Sequence, residues 1–508
     1  MEAASGLLHG FAVALQPLNI LWCFVGCFLG TVVGILPGLG PAATIAMLLP
    51  LTYTMDPAGG IIMLAGIYYG AKYGGSTTSI LLNMPGEPSS VVSCIDGYQM
   101  ARKGRAGAAL GIAAIASFVA GTFGVVALSL IAPPVAAFAL SFSSPEYFAL
   151  MCLGLSLVVL LAGTSLVKAL LSMLLGLWLA SIGTDLFTAQ SRFTFGQATL
   201  LGGVDFMLVA IGVFAIAEVL SSIEAGEEAK LLPVPKGLRN LLPNLEELKA
   251  CRFAFFNGSV TGFLLGVLPG AGATIASFIS YGIEKAVSRH PERFGHGAPE
   301  GLAAPEGANN ADTGGALVPL LTLGIPGGSS TAILLSALIL WGVRPGPLMM
   351  QESPDVFWGL VASMYIGNVI LLLLNLPLVP LFAQILRVPA YILYPGILGI
   401  SVVGAYSVSG RLFDIWLLAG FGLLGYLMGK LKYPAAPLIL GFVLGSAMER
   451  ALRQSLTMSQ GDVSLFLTRP LSATMLALAA LLLLLPLFGR INQWRLRAIE
   501  MEGTGETQ

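Results

Sequence analysis

The chain has 508 residues, of which 56% are hydrophobic and only 10% are charged, and its net charge at pH 7 is −1. A soluble protein carries about 25% charged residues, so this chain has too few polar side chains to cover soluble domains and fits a lipid bilayer instead. The small net charge excludes a broad basic surface for nucleic acid. The five cysteines match neither the spacing of a zinc site nor that of a disulfide framework.

Apolar runs of the length needed to cross a membrane, about 20 residues, recur through the chain. They lie near residues 18–36, 107–132, 147–164, 166–184, 204–222, 254–268, 356–386, 392–409, 412–430, 435–449 and 471–488. Shorter apolar pieces, interrupted by Pro and Gly, indicate half-helices or re-entrant hairpins at 41–54, 60–72, 75–84, 271–282, 312–325 and 329–343. We therefore predict an all-α polytopic membrane protein with about 11–12 transmembrane helices plus re-entrant or broken helices.

A polar stretch in the middle of the chain has mixed charge and several prolines, as linkers do. It separates two halves that resemble each other. The predicted organisation is a first repeat at 1–224, a polar linker at 225–252, a second repeat at 253–460, an extra C-terminal transmembrane helix at 461–490 and a cytoplasmic tail at 491–508.

The repeat is clearest in glycines that recur at every fourth residue. Four glycines form this pattern in the first half, and four more follow at a constant offset of 232: Gly26, Gly30, Gly34 and Gly38, then Gly258, Gly262, Gly266 and Gly270. Each series ends in Leu-Pro-Gly-x-Gly, which closes at Gly40 in one half and at Gly272 in the other. Glycines one turn apart let a second backbone approach the helix closely, and Pro-Gly then stops the helix.

A second pair of motifs follows in each half. Gly74-Gly75 and Met84-Pro85-Gly86 resemble Gly314-Gly315 and Ile325-Pro326-Gly327. Interrupted helices at corresponding positions of two halves point to the binding site of a transporter. Their ends expose N–H groups with positive partial charge, which suit a carboxylate or phosphate, and exposed carbonyls suit a cation such as Na⁺.

The predicted substrate site combines backbone and side-chain groups near these breaks. Its residues are Gly38, Gly40, Lys72, Ser76, Thr77, Thr78, Asn83, Pro85, Gly86, Gly270, Gly272, Asn310, Pro326, Gly327, Ser329 and Ser330. Asn309, Asp312 and Thr313 are the candidate ligands of Na⁺. Ser329–Ser330–Thr331 is interpreted as the counterpart of the polar cluster Ser76–Thr77–Thr78–Ser79. No cofactor besides the coupling ion is expected.

Each kind of candidate residue also has a purely structural interpretation. The hydroxyl groups could bond to their own helix backbone, Asp312 could cap a helix N-terminus, and Lys72 could extend its amine to the membrane surface. Further polar and aromatic residues are better interpreted as solvated loop positions or interface anchors: Glu87, Asp96, Glu300, Glu306, Tyr68 and Tyr69.

Basic residues predict the orientation, because cytoplasmic loops are enriched in Lys and Arg. The loop after the second motif is basic at 102–105 in the first half, whereas its counterpart has only Arg344. Conversely, the loop between the motifs is basic at 285–293 in the second half and has no basic residue at 52–60 in the first. This opposite bias predicts inverted repeats, with the N-terminus outside and the linker inside. Two residues do not fit this scheme: Arg450 and Arg453.

Three segments carry a resemblance to a known family. They are GILPGLGPAATIAMLLPLTY, YYGAKYGGSTTSILLNMPGEPSSVVSCIDGY and PEGLAAPEGANNADTGGALVPLLTLGIPGGSSTAILLSAL. These segments resemble the large membrane subunit of the tripartite tricarboxylate transporter family (TctA-like), and the resemblance extends from about Leu18 to about Pro470.

The resemblance implies an ion-driven secondary transporter of the bacterial inner membrane. Members of this family work with a small four-span membrane subunit and a periplasmic solute-binding protein, and they carry citrate and related carboxylates. Alternating access is the expected mechanism, and paired hairpins suit an elevator-type motion.

Other functional classes fit the sequence less well. An ATP-driven pump needs Gly-x4-Gly-Lys-Ser/Thr, but Gly429-Lys430 is followed by Leu431. Metalloprotease and serine hydrolase motifs are absent, so we do not expect an enzyme. An ion channel, or a stand-alone secondary transporter for another small anion, is the alternative interpretation.

Overall fold

The computed structural model describes residues 2–36, 40–161, 165–185, 187–225, 232, 240–270, 272–382, 384 and 390–484. Their regular structure is almost entirely helical, and it includes one antiparallel hairpin of β1 (Gly183–Thr184) and β2 (Ser191–Arg192). Among the described residues, six helices are long and apolar enough to cross a membrane, and seven shorter apolar helices accompany them. The predicted all-α polytopic membrane fold is confirmed.

The described residues of the first half form ten α-helices. They are α1 (Glu2–Ala14), α2 (Pro17–Gly34), α3 (Pro41–Thr52), α4 (Pro57–Leu82), α5 (Val91–Ser93), α6 (Ala106–Ala139), α7 (Ser144–Leu161), α8 (Leu166–Ala180), α9 (Phe206–Ala210) and α10 (Ala217–Ala225). Short 3₁₀ turns lie at Pro88–Ser90 and Ala198–Leu200, and π-helical turns lie at Cys94–Tyr98, Ala101–Arg105 and Ile211–Ile216.

The remaining helices follow the linker. They are α11 (Leu245–Ala250), α12 (Arg252–Val267), α13 (Gly272–Val287), α14 (Pro299–Leu323), α15 (Ser329–Leu340), α16 (Met349–Glu352), α17 (Pro354–Asn375), α18 (Val379–Phe382), α19 (Ala390–Ser409), α20 (Leu412–Lys430), α21 (Ala435–Met458), α22 (Leu465–Thr468) and α23 (Pro470–Leu484). A 3₁₀ turn lies at Pro291–Arg293. The predicted cytoplasmic tail and two parts of the linker, 226–231 and 233–239, lie outside the described residues.

The helix breaks lie elsewhere than predicted. The expected half-helices at 60–72 and 75–84 are one helix, α4, and the polar segment expected to be a loop before 312 is the first half of α14. Each helix ends where a residue adopts the left-handed conformation, at Asn83 (φ 57°) and Gly324 (φ 70°). These two residues, and not the Gly-Gly pairs, terminate the helices.

The glycine stripes are contact faces between helices. A Cβ atom built on Gly34 of α2 would lie 2.2 Å from the carbonyl oxygen of Ala71 on α4. In the second half, a Cβ atom on Gly262 of α12 would lie 2.3 Å from the carbonyl oxygen of Ala308 on α14. Both pairs of backbones therefore touch, and no larger residue fits between them without separating the helices.

The contacts between helices repeat in the two halves, as the sequence motifs do, and they correct the alignment of one half with the other. Gly86 packs against Gly34 and Gly75, and Gly327 packs against Gly266 and Ala316 at the equivalent positions. The offset in this region is 241, so the counterpart of Ser329–Ser330–Thr331 is Pro88–Ser89–Ser90. In each triplet, the hydroxyl of the last residue accepts a hydrogen bond from the backbone N–H three positions earlier. Ser90 accepts from Glu87, and Thr331 accepts from Gly328. The predicted match to Ser76–Thr77–Thr78–Ser79 is therefore wrong.

The two halves run in opposite directions. The glycines of α2 meet successively later residues of α4, and those of α12 meet successively later residues of α14, so each pair is parallel. Helices α4 and α14 are antiparallel, because Lys72 bonds to Asp312 whereas Ser76, one turn later, bonds to Glu306, an earlier residue. One half is therefore inverted relative to the other, which confirms the predicted inverted repeats.

Outside the central helices, helices of one half pack against helices of the other half. Helix α8 packs closely on α21, where a Cβ atom on Gly176 would lie 2.0 Å from the Leu438 carbonyl oxygen. Helix α20 packs on the π-helical turn between α9 and α10, where a Cβ atom on Gly425 would lie 2.7 Å from the Cα atom of Val213. Each half thus supplies part of an outer layer around the central helices.

One side of the molecule collects the basic loops, as the orientation argument requires. Loops 99–105 and 288–298 meet there, because the Lys103 Nζ atom donates to the His296 carbonyl oxygen over 2.6 Å. Arg105 forms an ion pair with Glu247, next to the linker. We call this side the linker face.

The opposite side carries the β-hairpin. The positive charge of Arg453, which does not fit the predicted orientation, is neutralised there. Its guanidinium lies 2.9 Å from an Asp185 carboxylate oxygen and 2.7 Å from one of Glu449. Hydrogen bonds from the Thr188 and Phe187 backbone N–H groups lower the pKa of Asp185 to about 2, so its carboxylate is charged at neutral pH. Because Arg453 is paired, it does not act as an uncompensated positive charge on this face.

Candidate functional site

A cavity of about 290 Å³ lies where the breaks of the two halves meet. Four short segments form much of its wall: residues 40–43, 87–89, 272–274 and 327–330. The first and third are equivalent in the two repeats, as are the second and fourth. Its volume is just below the range of about 300–1,000 Å³ typical of ligand pockets, so it suits a small molecule that contacts both halves.

Several helix N-termini point their unpaired N–H groups towards this cavity. Helix α3 has Gly40 as its N-cap, α15 has Gly328, and α13 begins at Gly272. At the N-caps of α3 and α15, glycine has no side chain with which to cap the first N–H groups, so these groups are open to a ligand. Helix N-termini carry positive partial charge and bind anions. Their convergence from both repeats favours an anionic ligand.

A buried ion pair joins the halves beside the cavity. The Lys72 Nζ atom lies 2.8 Å from the Asp312 Oδ2 atom and 2.9 Å from the Asn309 carbonyl oxygen. It also lies 5.2 Å from the centre of the Tyr68 ring. Lys72 and Asp312 are only 2% and 3% exposed, so Lys72 does not reach the membrane surface. Asp312 lies in the middle of α14 and is not the helix cap that its sequence position allowed.

Carboxylates outnumber basic side chains around the cavity. On its described wall, Lys72 stands against Asp312, Glu87 and Glu218. Behind the wall, Glu306 is fully buried and accepts hydrogen bonds from Ser76 and Ser93. An anion would therefore enter a site whose side chains carry an excess of negative charge. A cation or a proton has to balance that charge before the anion binds well.

In the middle of α14, three buried side-chain oxygens have no hydrogen-bond partner among the described residues: Asn309 Oδ1, Asn310 Oδ1 and Asp312 Oδ1. Asn309 is held by its other side-chain atom, since its Nδ2 atom donates to Glu87 over 2.8 Å. Unpaired oxygen acceptors are the ligands that hard cations take. Within the described part of the chain, no cluster of three or more His, Cys, Asp or Glu side chains has the geometry of a metal site.

The structure brings seven of the predicted site residues to the cavity wall. They are Gly40, Lys72, Gly272, Asp312, Gly327, Ser329 and Ser330. Gly38 lies outside the described residues. Gly86 and Gly270 do not line the cavity but contact residues next to it: Gly86 packs against Gly75, and the Gly270 N–H donates to the Gly327 carbonyl oxygen over 2.8 Å. The prolines Pro85 and Pro326 belong to the same two turns.

The other predicted residues have partners away from the cavity. Thr78 donates to the Ile35 carbonyl oxygen, Asn310 to Ser117, and Thr313 to the Asn310 carbonyl oxygen. Ser76 bonds to Glu306 as described, Thr77 is buried on α4, and Asn83 caps that helix. These residues position the helices around the site, and the described contacts do not place them against a ligand.

The sequence analysis did not identify several residues of the site. Ser89 lines the cavity and is 4% exposed, and it could have been found from the 241-residue offset to Ser330. The residues assigned to solvated loops or interfaces are instead buried: Glu87, Asp96, Glu300, Glu306, Tyr68 and Tyr69. Their burial depends on packing between distant helices, which no local pattern reports.

Comparison with known proteins agrees with this architecture. Residues 20–440 match the model of the "Tripartite tricarboxylate transporter TctA family". An uncharacterized 52.8 kDa protein in the TAR-I ttuC' 3'region of Agrobacterium vitis is 48% identical over 97% of this chain and 98% of its own length. An uncharacterized protein in the TAR-II ttuC' 3'region of the same organism is 44% identical over 46% of this chain and 97% of its own length.

No solved structure matches the chain. The family match extends over both repeats and includes every segment of the cavity wall. The chain therefore belongs to the tripartite tricarboxylate transporter TctA family and is a transporter subunit of the membrane.

Proposed function

We propose that this chain is the large transmembrane subunit of a binding-protein-dependent secondary transporter that imports tricarboxylates or related carboxylates. The observation that carries the proposal is the convergence of helix N-termini from both repeats on one small cavity. Carboxylate oxygens accept hydrogen bonds from such N–H groups and gain from the helix dipoles. The N-termini of α3, α13 and α15 would hold the carboxylates of the substrate, and Ser89 and Ser330 would supply hydroxyl donors.

The driving force is an inward gradient of Na⁺ or H⁺. The negative side chains around the cavity disfavour an anion unless a cation enters with it. Asp312 and Asn309 would bind Na⁺ through their side-chain oxygens Oδ1, because both oxygens are buried and have no hydrogen-bond partner among the described residues. Binding of the cation and the anion would then be mutually favourable.

The partners follow from the tripartite character of the family. We propose a small four-span membrane subunit and a periplasmic solute-binding protein that delivers a carboxylate such as citrate, with the complex in the bacterial inner membrane. The inverted halves allow the cavity to open to either side in turn. An elevator-type motion would carry the two hairpins, α2–α3 and α12–α13, against the outer layer of α8, α20 and α21.

Transport by the complete reconstituted complex tests this function. Proteoliposomes containing all three proteins are expected to take up labelled citrate with saturation and with a requirement for an inward Na⁺ or H⁺ gradient. A current that does not saturate, without uptake of citrate, would indicate an ion channel and contradict the proposal.

Substitution Asp312→Ala tests the proposed ion site in the same assay. We expect the activation of uptake by Na⁺ to be lost, because one ligand of the cation and the partner of Lys72 are both removed. The control is Asp355→Ala, which removes an exposed aspartate that pairs with His9 and should leave the Na⁺ dependence unchanged. Unaltered Na⁺ activation in Asp312→Ala would remove this residue from the ion site.

A further inference from the structure

A second cavity, of about 300 Å³, lies on the linker face and shares no residue with the candidate substrate site. Three permanently charged basic residues line it, Lys103, Arg105 and Arg293, together with His296. Glu292 is the carboxylate on its described wall, and it also contacts His290. We call this cavity the basic pocket. Its charge is the reverse of that around the substrate cavity.

The basic pocket is built by buried contacts. Asp96 is fully buried, and its carboxylate accepts hydrogen bonds from the backbone N–H groups of Gly295, Gly297 and Ala298 at distances from 2.7 to 3.1 Å. The Tyr281 hydroxyl donates to the same carboxylate over 3.0 Å. Asp96 therefore fixes the loop that presents Arg293 and His296. The pocket is thereby shaped before any ligand arrives.

The arrangement of the basic side chains leaves Arg293 available. Lys103 is held over the loop by its bond to the His296 carbonyl oxygen, and Arg105 shares its charge with Glu247. Arg293 and Lys103 are both exposed at this face. Arginine presents a planar fork of donors that matches phosphate, and lysine adds a point charge. Together they favour a phosphate group over a neutral ligand.

The surroundings favour a lipid as the carrier of that phosphate. Arg105 immediately precedes α6, which belongs to one of the apolar stretches long enough to cross a membrane. Helix α13, which leads into the Arg293 loop, exposes the apolar side chains of Phe278, Ile283 and Val287. An acyl chain can lie along such a surface while the headgroup lies at the level of the basic loop. Basic pockets at the ends of transmembrane helices bind anionic headgroups in this way.

We propose that the basic pocket is a binding site for the phosphate group of an anionic membrane phospholipid. The pocket joins the loop after the second motif of the first half to the loop before α14 in the second half, so an occupied pocket ties together segments that lead from both halves of the substrate site. The proposal does not depend on the identity of the transported carboxylate.

The test measures lipid binding to the full-length purified chain. Thermal stabilisation of delipidated protein is titrated with cardiolipin, with phosphatidylcholine and with pyrophosphate, and native mass spectrometry counts the bound lipid. Cardiolipin should stabilise the protein and phosphatidylcholine should not. In Lys103→Gln/Arg293→Gln, cardiolipin binding should be about 30-fold weaker, because two charged contacts are lost.

The matched control is Lys285→Gln/Arg289→Gln. It removes the same charge from exposed positions on the same face, outside the pocket, and should retain binding within about threefold. Equal losses in both double variants would overturn the pocket in favour of a diffuse surface charge. Thermal stabilisation by pyrophosphate as strong as that by cardiolipin would support a phosphate site but overturn the proposal that a lipid supplies the phosphate. Should the double variant fail to fold, the single variant Arg293→Gln, with an expected loss of about fivefold, decides the same question.

Discussion

Replacing Lys72 with methionine is expected to cost about 3–5 kcal/mol of unfolding free energy, because the change leaves the Asp312 carboxylate buried without its cation. Adding Asp312→Leu to this variant should restore part of that loss, since two apolar residues leave no unpaired charge. Citrate uptake should be absent from the single and the double variants alike. Unfolding in mixed micelles, followed as a double-mutant cycle, measures the effect.

An exposed ion pair supplies the control for this cycle. Lys430 lies 2.6 Å from Glu224, and both side chains are about half exposed. Lys430→Met should cost much less unfolding free energy than Lys72→Met, because solvent screens an exposed ion pair, and it should leave uptake intact. If Lys72→Met were as mild as Lys430→Met, the buried pair would not be the link between the halves that the contacts indicate.

Gly34→Ala is expected to reduce uptake by about tenfold or more, and Gly262→Ala should do the same. At either position a methyl group would fall within 2.3 Å of a carbonyl oxygen on the neighbouring long helix, so the two helices must separate. Overpacking of this kind costs about 1–3 kcal/mol. The added methyl group also displaces a hairpin relative to Lys72 and Asp312: α2–α3 in Gly34→Ala and α12–α13 in Gly262→Ala. Displacements of about 1 Å can reduce rates strongly.

The control for the glycine variants is Gly282→Ala on α13. No atom outside its own helix backbone lies within 4 Å of the Cβ atom that this change adds. Alanine also favours a helix more than glycine does, so Gly282→Ala should be neutral or slightly stabilising. Uptake and unfolding are measured for all three variants. Normal uptake in Gly34→Ala and Gly262→Ala would show that the close helix contacts do not position the site.

The duplicated parts of this fold could be predicted from the sequence because close helix contacts require glycine. The stripe from Gly26 to Gly34, its copy from Gly258 to Gly266, and the inverted orientation all follow from local patterns and loop charge. The structure confirms them with equivalent contacts in the two halves. The general position of the site, between the paired breaks, was predictable for the same reason.

The polar interior could not be predicted in the same way. The segment from 299 to 310 has the composition of a loop, but α6, α12 and α13 bury it as a helix, and the carboxylate of Glu306 bonds to Ser76 on α4 and Ser93 on α5. The pairing of Lys72 with Asp312 joins residues that are 240 positions apart. Such pairings depend on how the inverted halves cross, which is a property of the tertiary structure.

The predicted role of Ser76 and Thr77 shows how an alignment error of 12 residues, from an offset of 241 to one of 253, changes a site. Aligning their hydroxyl cluster with Ser329 and Ser330 assigned the wrong partner in the first half. The contacts of Gly86 and Gly327 align Ser89 of the first half with Ser330 of the second half instead. Ser89 and Ser330 are thus the equivalent hydroxyls on the cavity wall.

Protection of these two positions by citrate tests the central claim most directly. Ser89→Cys and Ser330→Cys are treated with a small thiol reagent in the reconstituted complex, and mass spectrometry reads the labelling of each position. Citrate should slow the labelling of both cysteines at the same concentration, because one ligand contacts both repeats, and it should not affect Ser141→Cys on an exposed turn. Labelling of Ser89→Cys and Ser330→Cys that is insensitive to citrate, while the complex still transports it, would contradict a shared site between the inverted halves.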